Sequence, residues 1–357
     1  MDHQAETERE HATLIGAAVR DAGLGRSWSL VETLGGGLST SALYHIVADG
    51  HHYVVRLTKP DDQHNDLHHE HRVMATINPL GIAPHLHYAN PEQGIAITDF
   101  IASQPLFPWQ ENRPPLLPML ADRVRTLHQG PTLPRGDSIF DKAMTVAGWL
   151  PACFQATPLV VDAMTRLKEL ETLVRNPVHL CPGHGDINPG NILFDGSQLW
   201  LIDWATAGQE NRYFDLACCT NFFFFRSETV ERAFLTAYFE RAPTAEEAHI
   251  YARMRIFCAI YYGLIFLYMS GVQGTPLLAI DEVEALPTYP AFMDLIGRGQ
   301  EQLADATSQQ RMGFIYLQRA QGLYINPLPT PHTAAHPPSS TLPSWQSAPA
   351  TPSPGTP

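Results

Sequence analysis

The amino-acid sequence predicts an α+β fold in two lobes, a small N-terminal lobe built on an antiparallel sheet and a larger, mainly helical C-terminal lobe. Short strand-like segments separated by turn residues fill most of the first hundred positions. From about residue 102, apolar residues recur at spacings of three and four, which is typical of helices. We therefore expect an N-terminal lobe over residues 1–100 and a helical lobe over residues 101–325.

The elements of the first lobe begin with a helix and a strand. The polar, then increasingly apolar, opening up to residue 25 predicts a helix, and residues 27–34 predict a strand. Residues 42–57 contain Asp49-Gly50 between two strand-like halves, and this dipeptide is a strong hairpin signal.

Two Asn-Pro dipeptides punctuate the rest of this lobe. Residues 66–78 have helical character and end at Asn78-Pro79, since the residue before a proline disfavours the helical conformation. Two further short strands are predicted on either side of Asn90-Pro91.

The second lobe is predicted from three amphipathic segments and one hairpin. The helical segments cover residues 114–130, 164–174 and 228–242. Between the second and third, residues 191–203 predict two short strands around an Asp-Gly turn. Residues 326–357 hold ten prolines in 32 positions and predict a disordered tail.

Composition narrows the class of protein. A net charge of −13 and a pI near 5.7 argue against a general nucleic-acid or anionic-membrane surface. Five cysteines, an odd number without a CxxC motif, indicate reduced thiols. The N-terminus is polar, and the most apolar run, residues 256–269, is shorter than a bilayer-spanning helix needs. We expect a cytoplasmic protein without a membrane segment, and the oligomeric state stays open.

The chemistry concentrates in residues 184–204, HGDINPGNILFDGSQLWLIDW. Phosphoryl transfer needs a carboxylate that accepts the proton of the attacking hydroxyl, and hard oxygen ligands that hold Mg²⁺. Asp186 can provide the carboxylate. Asn191 lies five residues on, and Asp203 returns towards it if the intervening segment folds as a hairpin. A hairpin with two polar ends is the alternative without function.

This stretch resembles the catalytic segment of the aminoglycoside phosphotransferase and choline kinase superfamily, which has a two-lobed protein-kinase-like fold. The resemblance implies that Asp186 is the catalytic base and that Asn191 and Asp203 bind the metal. It also places His184 among the catalytic residues, where this histidine mainly shapes the loop. Gly185 stands where protein kinases carry the arginine that receives an activation-loop phosphate. The DFG and APE motifs are absent from the sequence, which argues against a protein kinase.

The resemblance extends to both sides of that segment. Upstream, it implies that a glycine-rich loop covers the nucleotide phosphates and that Arg56 contacts them. Glu70 is expected to pair with this arginine, and a hinge is expected to bind adenine through its backbone. The loop residues are Gly35, Gly36, Gly37, Leu38 and Ser39, and the hinge residues are Thr98, Asp99, Phe100 and Ile101. Downstream, Asp215 of a DLA triplet is expected to brace the catalytic loop.

The acceptor is less constrained. In the family it binds to the helical lobe, where tyrosines between 251 and 271 offer faces for a cation, although core packing explains any single one at least as well. These are Tyr251, Tyr261, Tyr262 and Tyr268. Choline kinases often read IDWEYAG after the metal ligand, whereas this chain has Ala205 and Thr206, which puts choline itself in doubt.

The sequence thus predicts an ATP- and Mg²⁺-dependent phosphotransferase acting on a hydroxyl of a small, cationic molecule such as an amino alcohol. An aminoglycoside-type or other small-molecule kinase is an alternative, and an inactive nucleotide-binding scaffold is the alternative from another class. His64, His68, His69 and His71 crowd one segment. Without an HExxH motif or a nearby cysteine, they predict a polar helix face and not a metal site.

Overall fold

The computed structural model describes residues 2–35, 41–59, 66–106 and 116–325. In the N-terminal lobe, two helices accompany a five-stranded antiparallel sheet. The helices are α1, Asp2–Asp21, and α2, Leu67–Ile77. The strands are β1, Trp28–Leu34; β2, Ala42–Ala48; β3, His51–Leu57; β4, Leu86–Asn90; and β5, Ile95–Asp99. These elements confirm the strands and helices predicted for this lobe.

The sheet has the strand order β1-β2-β3-β5-β4, and one of its faces packs against α1 while the other faces α2. Ile15 and Val19 of α1 pack with Ile46 and Val55 of the sheet in a small core of their own. Because side chains alternate along a strand, Arg56 projects from the opposite face, where it meets α2. The hairpin turn between β2 and β3 places Asp49 and Gly50 at positive φ, 46° and 81°, as a two-residue turn with this sequence requires.

Helices make up most of the C-terminal lobe. They are α3, Leu116–His128; α4, Ile139–Trp149; α5, Ala152–Gln155; α6, Pro158–Val174; α7, Arg212–Cys219; α8, Glu228–Phe239; α9, Ala245–Val272; α10, Ile280–Glu284; α11, Tyr289–Gly297; and α12, Ala306–Ile325. A π-helical turn, Thr220–Phe224, continues α7. The three helices predicted from amphipathic spacing correspond to α3, α6 and α8.

Two small antiparallel sheets carry the candidate site. Strands β7, Ile192–Phe194, and β8, Leu199–Leu201, form the predicted hairpin, with Gly196 in its turn at φ 98°. Strands β6, Leu180–Gly183, and β9, Gly208–Asn211, pair beneath it. The β6–β9 pair was not anticipated, because four-residue strands containing proline and glycine carry little propensity of their own.

Helix α9 runs for 28 residues and is apolar enough to cross a membrane by length and composition alone. The helix is twice as long as the apolar run 256–269. The sequence argument that this run is too short to span a bilayer was therefore wrong for the helix as a whole. Two thirds of its most apolar window is buried within the lobe, where it packs mainly against α12. Packing explains its composition.

Three predictions fall partly or wholly outside the described residues. The proline-rich segment 326–357 is one, and the loop residues Gly36, Gly37, Leu38 and Ser39 are another. His64 is the third. All five cysteines are free thiols in the structure, as expected, with Cys153 alone among them exposed.

Candidate active site

Asp186 lies in the loop after β6, and both oxygens of its carboxylate accept hydrogen bonds. Asn191 donates its side-chain amide to Oδ2 at 3.0 Å and to the Asp186 carbonyl at 2.9 Å. Tyr262 of α9 donates its hydroxyl to Oδ1 at 2.6 Å. Each carboxylate oxygen can accept more than one hydrogen bond, so an approaching hydroxyl can still bind here. The carboxylate is therefore held in one orientation and remains half-exposed.

The two residues before Asp186 shape the loop. Gly185 has φ 77°, and a Cβ added there would lie 2.8 Å from the carbonyl oxygen of Thr206, so glycine fits this position best. His184 is fully buried and uses both ring nitrogens: Nε2 donates to the carbonyl of Ile202 at 3.0 Å, and Nδ1 accepts from the Asp186 amide at 3.3 Å. This geometry favours a loop-shaping role over proton transfer.

Asp215 of α7 braces the loop, as the sequence predicted. Its buried carboxylate accepts the backbone amides of His184 at 2.8 Å and Gly185 at 2.9 Å. His128, at the end of α3, donates to the same carboxylate from Nε2 at 3.0 Å. The conformation of the loop is thus fixed by a group that lies beneath it.

The Asp215–His128 pair is charged in spite of its burial. Burial alone would raise the pKa of Asp215, but the hydrogen bond and charge of His128 outweigh it, so that the pKa is lowered. Burial alone would lower the pKa of His128, yet interactions with Tyr238, Cys181 and Asp215 raise it well above its ordinary value. Each partner therefore stabilises the charged form of the other.

The β7–β8 hairpin brings the two expected metal ligands to its open end. The Ile202 amide donates to the Asn191 carbonyl at 3.0 Å, which places Asn191 opposite the residue before Asp203. Since the Asn191 amide nitrogen is engaged by Asp186, its Oδ1 is the atom available for a cation. Asp203 is exposed, and no described residue hydrogen-bonds or ion-pairs with its carboxylate. Two hard oxygen donors next to Asp186 fit a magnesium ion.

On the N-terminal lobe, Arg56 of β3 forms an ion pair with Glu70 of α2. Glu70 is almost fully buried, whereas the Arg56 side chain keeps 22% of its surface exposed. A guanidinium that is fixed by one carboxylate and still accessible can bind phosphate oxygens with its remaining donors. Of the predicted glycine-rich loop, Gly35 is described and is exposed.

The hinge residues 98–101 lead from β5 into the second lobe. The side chain of Asp99 accepts a hydrogen bond from His87 at 2.6 Å, so this carboxylate already has a partner within the lobe. The Phe100 amide donates to the His52 carbonyl at 3.2 Å. These bonds hold the start of the hinge against strands β3 and β4.

Further along the hinge, the Ile101 amide has no hydrogen bond to a described residue, so it can donate to a bound base. Thr98 pairs with Val54 across the two strands, and both are half-buried. The ring of Phe100 stacks on His45 with centroids 3.7 Å apart. An unpaired donor between ordered neighbours is what adenine recognition through a backbone requires.

Residues 31–256 match the phosphotransferase enzyme family, a span that contains the arrangement described above except Tyr262. The chain belongs to this family. A search of curated proteins finds no match.

Solved structures show the protein-kinase-like fold. A choline/ethanolamine kinase family protein from Mesorhizobium loti has 18% sequence identity and a TM-score of 0.58, covering 84% of this chain and 89% of its own. Choline kinase LicA from Streptococcus pneumoniae has 17% identity and a TM-score of 0.58, covering 89% and 100%. Macrolide 2'-phosphotransferase type I has 18% identity and a TM-score of 0.52, covering 74% and 97%.

Within this family member, the four candidate tyrosines of α9 separate clearly. Tyr251 is buried and donates to Glu231 at 2.7 Å, and Tyr261 is buried in the helical core. Tyr268 packs beside Trp149. Tyr262 alone of the four contacts Asp186. The sequence analysis named Tyr262 as an aromatic face for a cation. It did not predict this hydrogen bond, which joins residues 76 positions apart.

The histidines of α2 are not an incidental polar face. His69 and His71 are both 7% exposed, so that interpretation was wrong for them, whereas His68 lies on the surface. His69 reaches the Ala207 carbonyl in the other lobe. Burial lowers the pKa of His71 to about 4, with the charges of Arg56 and His68 adding to the effect. Among the residues that the structure describes, no group of three or more potential metal ligands forms.

The half-buried Lys142 and the buried Glu210 form a second pair near the catalytic loop, and the sequence analysis missed both. Lys142 of α4 donates to the Thr206 carbonyl at 2.8 Å and lies 4.0 Å from Glu210 of β9. Glu210 also accepts the Ile139 amide at 3.2 Å. Burial raises the pKa of Glu210 to about 7 and, in spite of Glu210, lowers that of Lys142.

Proposed function

We propose that the protein is an ATP- and Mg²⁺-dependent phosphotransferase that transfers the γ-phosphate to a hydroxyl of a small molecule. The observation that carries the proposal is the oriented, half-exposed carboxylate of Asp186 next to Asn191 and Asp203. A phosphotransferase of this kind needs a fixed carboxylate and metal ligands within one site. Membership of the family supports the same reaction class.

In the proposed reaction, the acceptor hydroxyl hydrogen-bonds to Asp186, which orients it and takes its proton. The acceptor oxygen bonds to the γ-phosphorus as the bond from that phosphorus to the β-phosphate oxygen breaks, and ADP leaves. Asn191 and Tyr262 hold the carboxylate in place during this transfer. A bound Mg²⁺ would neutralise charge on the phosphates, with Asn191 Oδ1 and the Asp203 carboxylate as its protein ligands.

The nucleotide would lie between the lobes. Arg56, oriented by Glu70, would bind phosphate oxygens, and the Ile101 amide would bind the base. The structure of LicA in complex with AMP, which is similar in fold to this chain, supports nucleotide binding.

For the acceptor we propose a small cation that carries a hydroxyl group. Phe222 of the π-helical turn packs edge-on against Tyr262 with centroids 4.9 Å apart, so that aromatic groups adjoin the Asp186 carboxylate. Aromatic rings and a carboxylate together favour an ammonium or a comparable cationic group. A π-helical turn within a helix is rare and frequently occurs at functional sites.

The test is ADP release from Mg·ATP across a panel of choline, ethanolamine, thiamine, homoserine, methylthioribose and kanamycin, with Asp186→Asn as the control. We expect turnover with one cationic acceptor, and a loss of about 10²-fold or more in the variant. Kanamycin as the substrate would favour the aminoglycoside-type alternative. Nucleotide binding without turnover on any acceptor would favour an inactive scaffold, and a failure to bind Mg·ATP would refute the proposal.

A further inference from the structure

A buried histidine connects the first lobe to the segment that follows the proposed metal ligand. Nε2 of His69 lies 2.7 Å from the carbonyl oxygen of Ala207, and His69 is 7% exposed. His69 is in the first turn of α2, where its own amide is capped by the Asp66 side chain at 2.9 Å. Gly136 closes the other side, because a Cβ there would lie 3.3 Å from the imidazole ring. The ring is therefore enclosed and has one polar partner from the other lobe.

The chemistry of this bond fixes the tautomer. A backbone carbonyl only accepts hydrogen bonds, so Nε2 of His69 must carry the proton. His69 in the N-terminal lobe consequently donates this hydrogen bond, and a backbone carbonyl in a loop of the C-terminal lobe accepts it. A substitution that preserves a donor at the same reach, as glutamine does, should preserve the bond.

The loop from Asp203 to Ala207 is one that needs such support. Asp203 has φ 66°, a conformation that non-glycine residues adopt rarely and keep only where surrounding contacts hold them. Thr206 is held from within the helical lobe: Lys142 donates to its carbonyl at 2.8 Å, and its hydroxyl donates to the His184 carbonyl at 3.0 Å. His69 holds the next residue from the opposite lobe.

The same helix also orients the group proposed to bind phosphate, since Glu70, adjacent to His69, pairs with Arg56. We propose that His69 is a positioning residue, which fixes the Asp203 carboxylate for the metal through its bond to Ala207. The inference rests on the proposed function for the role of Asp203. The bond itself can be tested without any ligand.

The first measurement is amide hydrogen exchange on the ligand-free protein, comparing wild type with His69→Ala, His69→Gln and His68→Ala. The Ala207 amide donates to the Trp204 carbonyl at 3.1 Å, so its exchange reports on the loop. We expect exchange within 203–207 about tenfold faster in His69→Ala, and near wild type in the other two. His68 is the matched control, because its side chain is 61% exposed and, within the part of the chain that the structure describes, forms its ion pair with Glu92 on the surface.

The second measurement is calorimetric binding of ADP, with Mg²⁺ and without metal. We expect His69→Ala to weaken the metal-dependent affinity about tenfold, since groups that orient a metal ligand commonly contribute this much. Metal-free ADP should bind within about twofold of wild type, because Arg56 and Glu70 are untouched. His69→Gln should restore most of the metal-dependent affinity.

The outcomes separate the two proposals. Unchanged exchange in 203–207 or unchanged metal dependence in His69→Ala would overturn the role of His69, and so would a failure of His69→Gln to restore both. A wild-type protein that binds no Mg·ADP would refute the proposed function instead, while the exchange experiment would still decide whether His69 holds the loop.

Discussion

Gly185 shows how a single residue limits what the catalytic loop tolerates. Its φ of 77° and the Thr206 carbonyl 2.8 Å from an added Cβ leave no room for a side chain. We expect Gly185→Ala to lower the free energy of unfolding by on the order of 2 kcal/mol, because alanine is strained in this conformation and must also displace backbone. Chemical denaturation provides the measurement.

Gly148 is the matched control for that substitution. It lies in α4 on an exposed face, has ordinary helical φ, and would place a Cβ in open space. Gly148→Ala should raise the free energy of unfolding by up to about 0.5 kcal/mol, since glycine is a weak helix former and Gly148 lies in the last turn of α4. Equal effects of the two substitutions would contradict the account of Gly185.

Tyr262 provides a prediction about rate. Tyr262→Phe removes the 2.6 Å hydrogen bond to Asp186 Oδ1 and keeps the ring that packs on Phe222. We expect kcat to fall about tenfold, the usual contribution of a hydrogen bond to a charged group. Steady-state kinetics with the identified acceptor would measure it. Tyr324→Phe, on the exposed face of α12, should leave kcat unchanged, and a full-rate Tyr262→Phe enzyme would show that the bond does not matter.

At the scale of elements, the Glu210 carboxyl group joins the β6–β9 pair to α4, and its burial favours the protonated form. Burial raises the pKa of Glu210 from 4.5 to about 7, so the folded protein holds this proton more tightly than the unfolded chain. Stability from this group is complete below pH 4.5 and is lost as the pH rises through 7. From pH 5 to pH 8, the free energy of unfolding of the wild type should fall by on the order of 2 kcal/mol relative to that of Glu210→Gln.

Denaturation curves of the two proteins at both pH values test this expectation. Glutamine keeps the shape of the side chain and an acceptor for the Ile139 amide, so the comparison isolates the charge. Parallel pH dependence in wild type and variant would mean that Glu210 is ionised at little cost in the folded protein.

Local signals explain which elements could be predicted. Asp49-Gly50 and the Asp-Gly pair in the β7–β8 turn favour a hairpin by their own backbone preferences, and α3, α6 and α8 each show an apolar stripe. Strands β6 and β9 have no such signal. They form because distant segments meet, so no window of sequence contained the information.

At the scale of the whole molecule, the site depends on contacts between segments far apart in the chain. The resemblance to the kinase superfamily, with its motifs in the same order along the chain, was enough to place Arg56, Glu70 and the catalytic segment in one prediction. The bond from His69 to Ala207 spans 138 positions, and the bond from His128 to Asp215 spans 87. Neither histidine stands in a motif, and only the packed structure shows what each one touches.

Ligand binding should stabilise both lobes together. ADP with Mg²⁺ at a hundred times its dissociation constant should raise the free energy of unfolding by about 2.7 kcal/mol, and EDTA should remove the metal-dependent share. Asp203→Asn should leave the ligand-free melting temperature unchanged, because the exposed Asp203 carboxylate has no partner among the described residues. It should also weaken the response to Mg²⁺, because an amide oxygen lacks the negative charge of a carboxylate, and calorimetric melts with and without metal would show this.

The control for this experiment is the metal-free titration. Asp203→Asn should still gain stability from ADP alone, through Arg56 and the hinge. A variant that responds to Mg²⁺ as strongly as wild type would place the metal elsewhere, and a large drop in its ligand-free melting temperature would give Asp203 a structural role instead.

The brace beneath the catalytic loop has a consequence for how such an enzyme is controlled. Asp215 is buried, charged and attached to the amides of His184 and Gly185, and its negative charge belongs to the chain itself. A loop anchored in this way needs no phosphoryl group added by another enzyme and none for a phosphatase to remove. The catalytic loop would then take up its working shape when the chain folds, with no later modification.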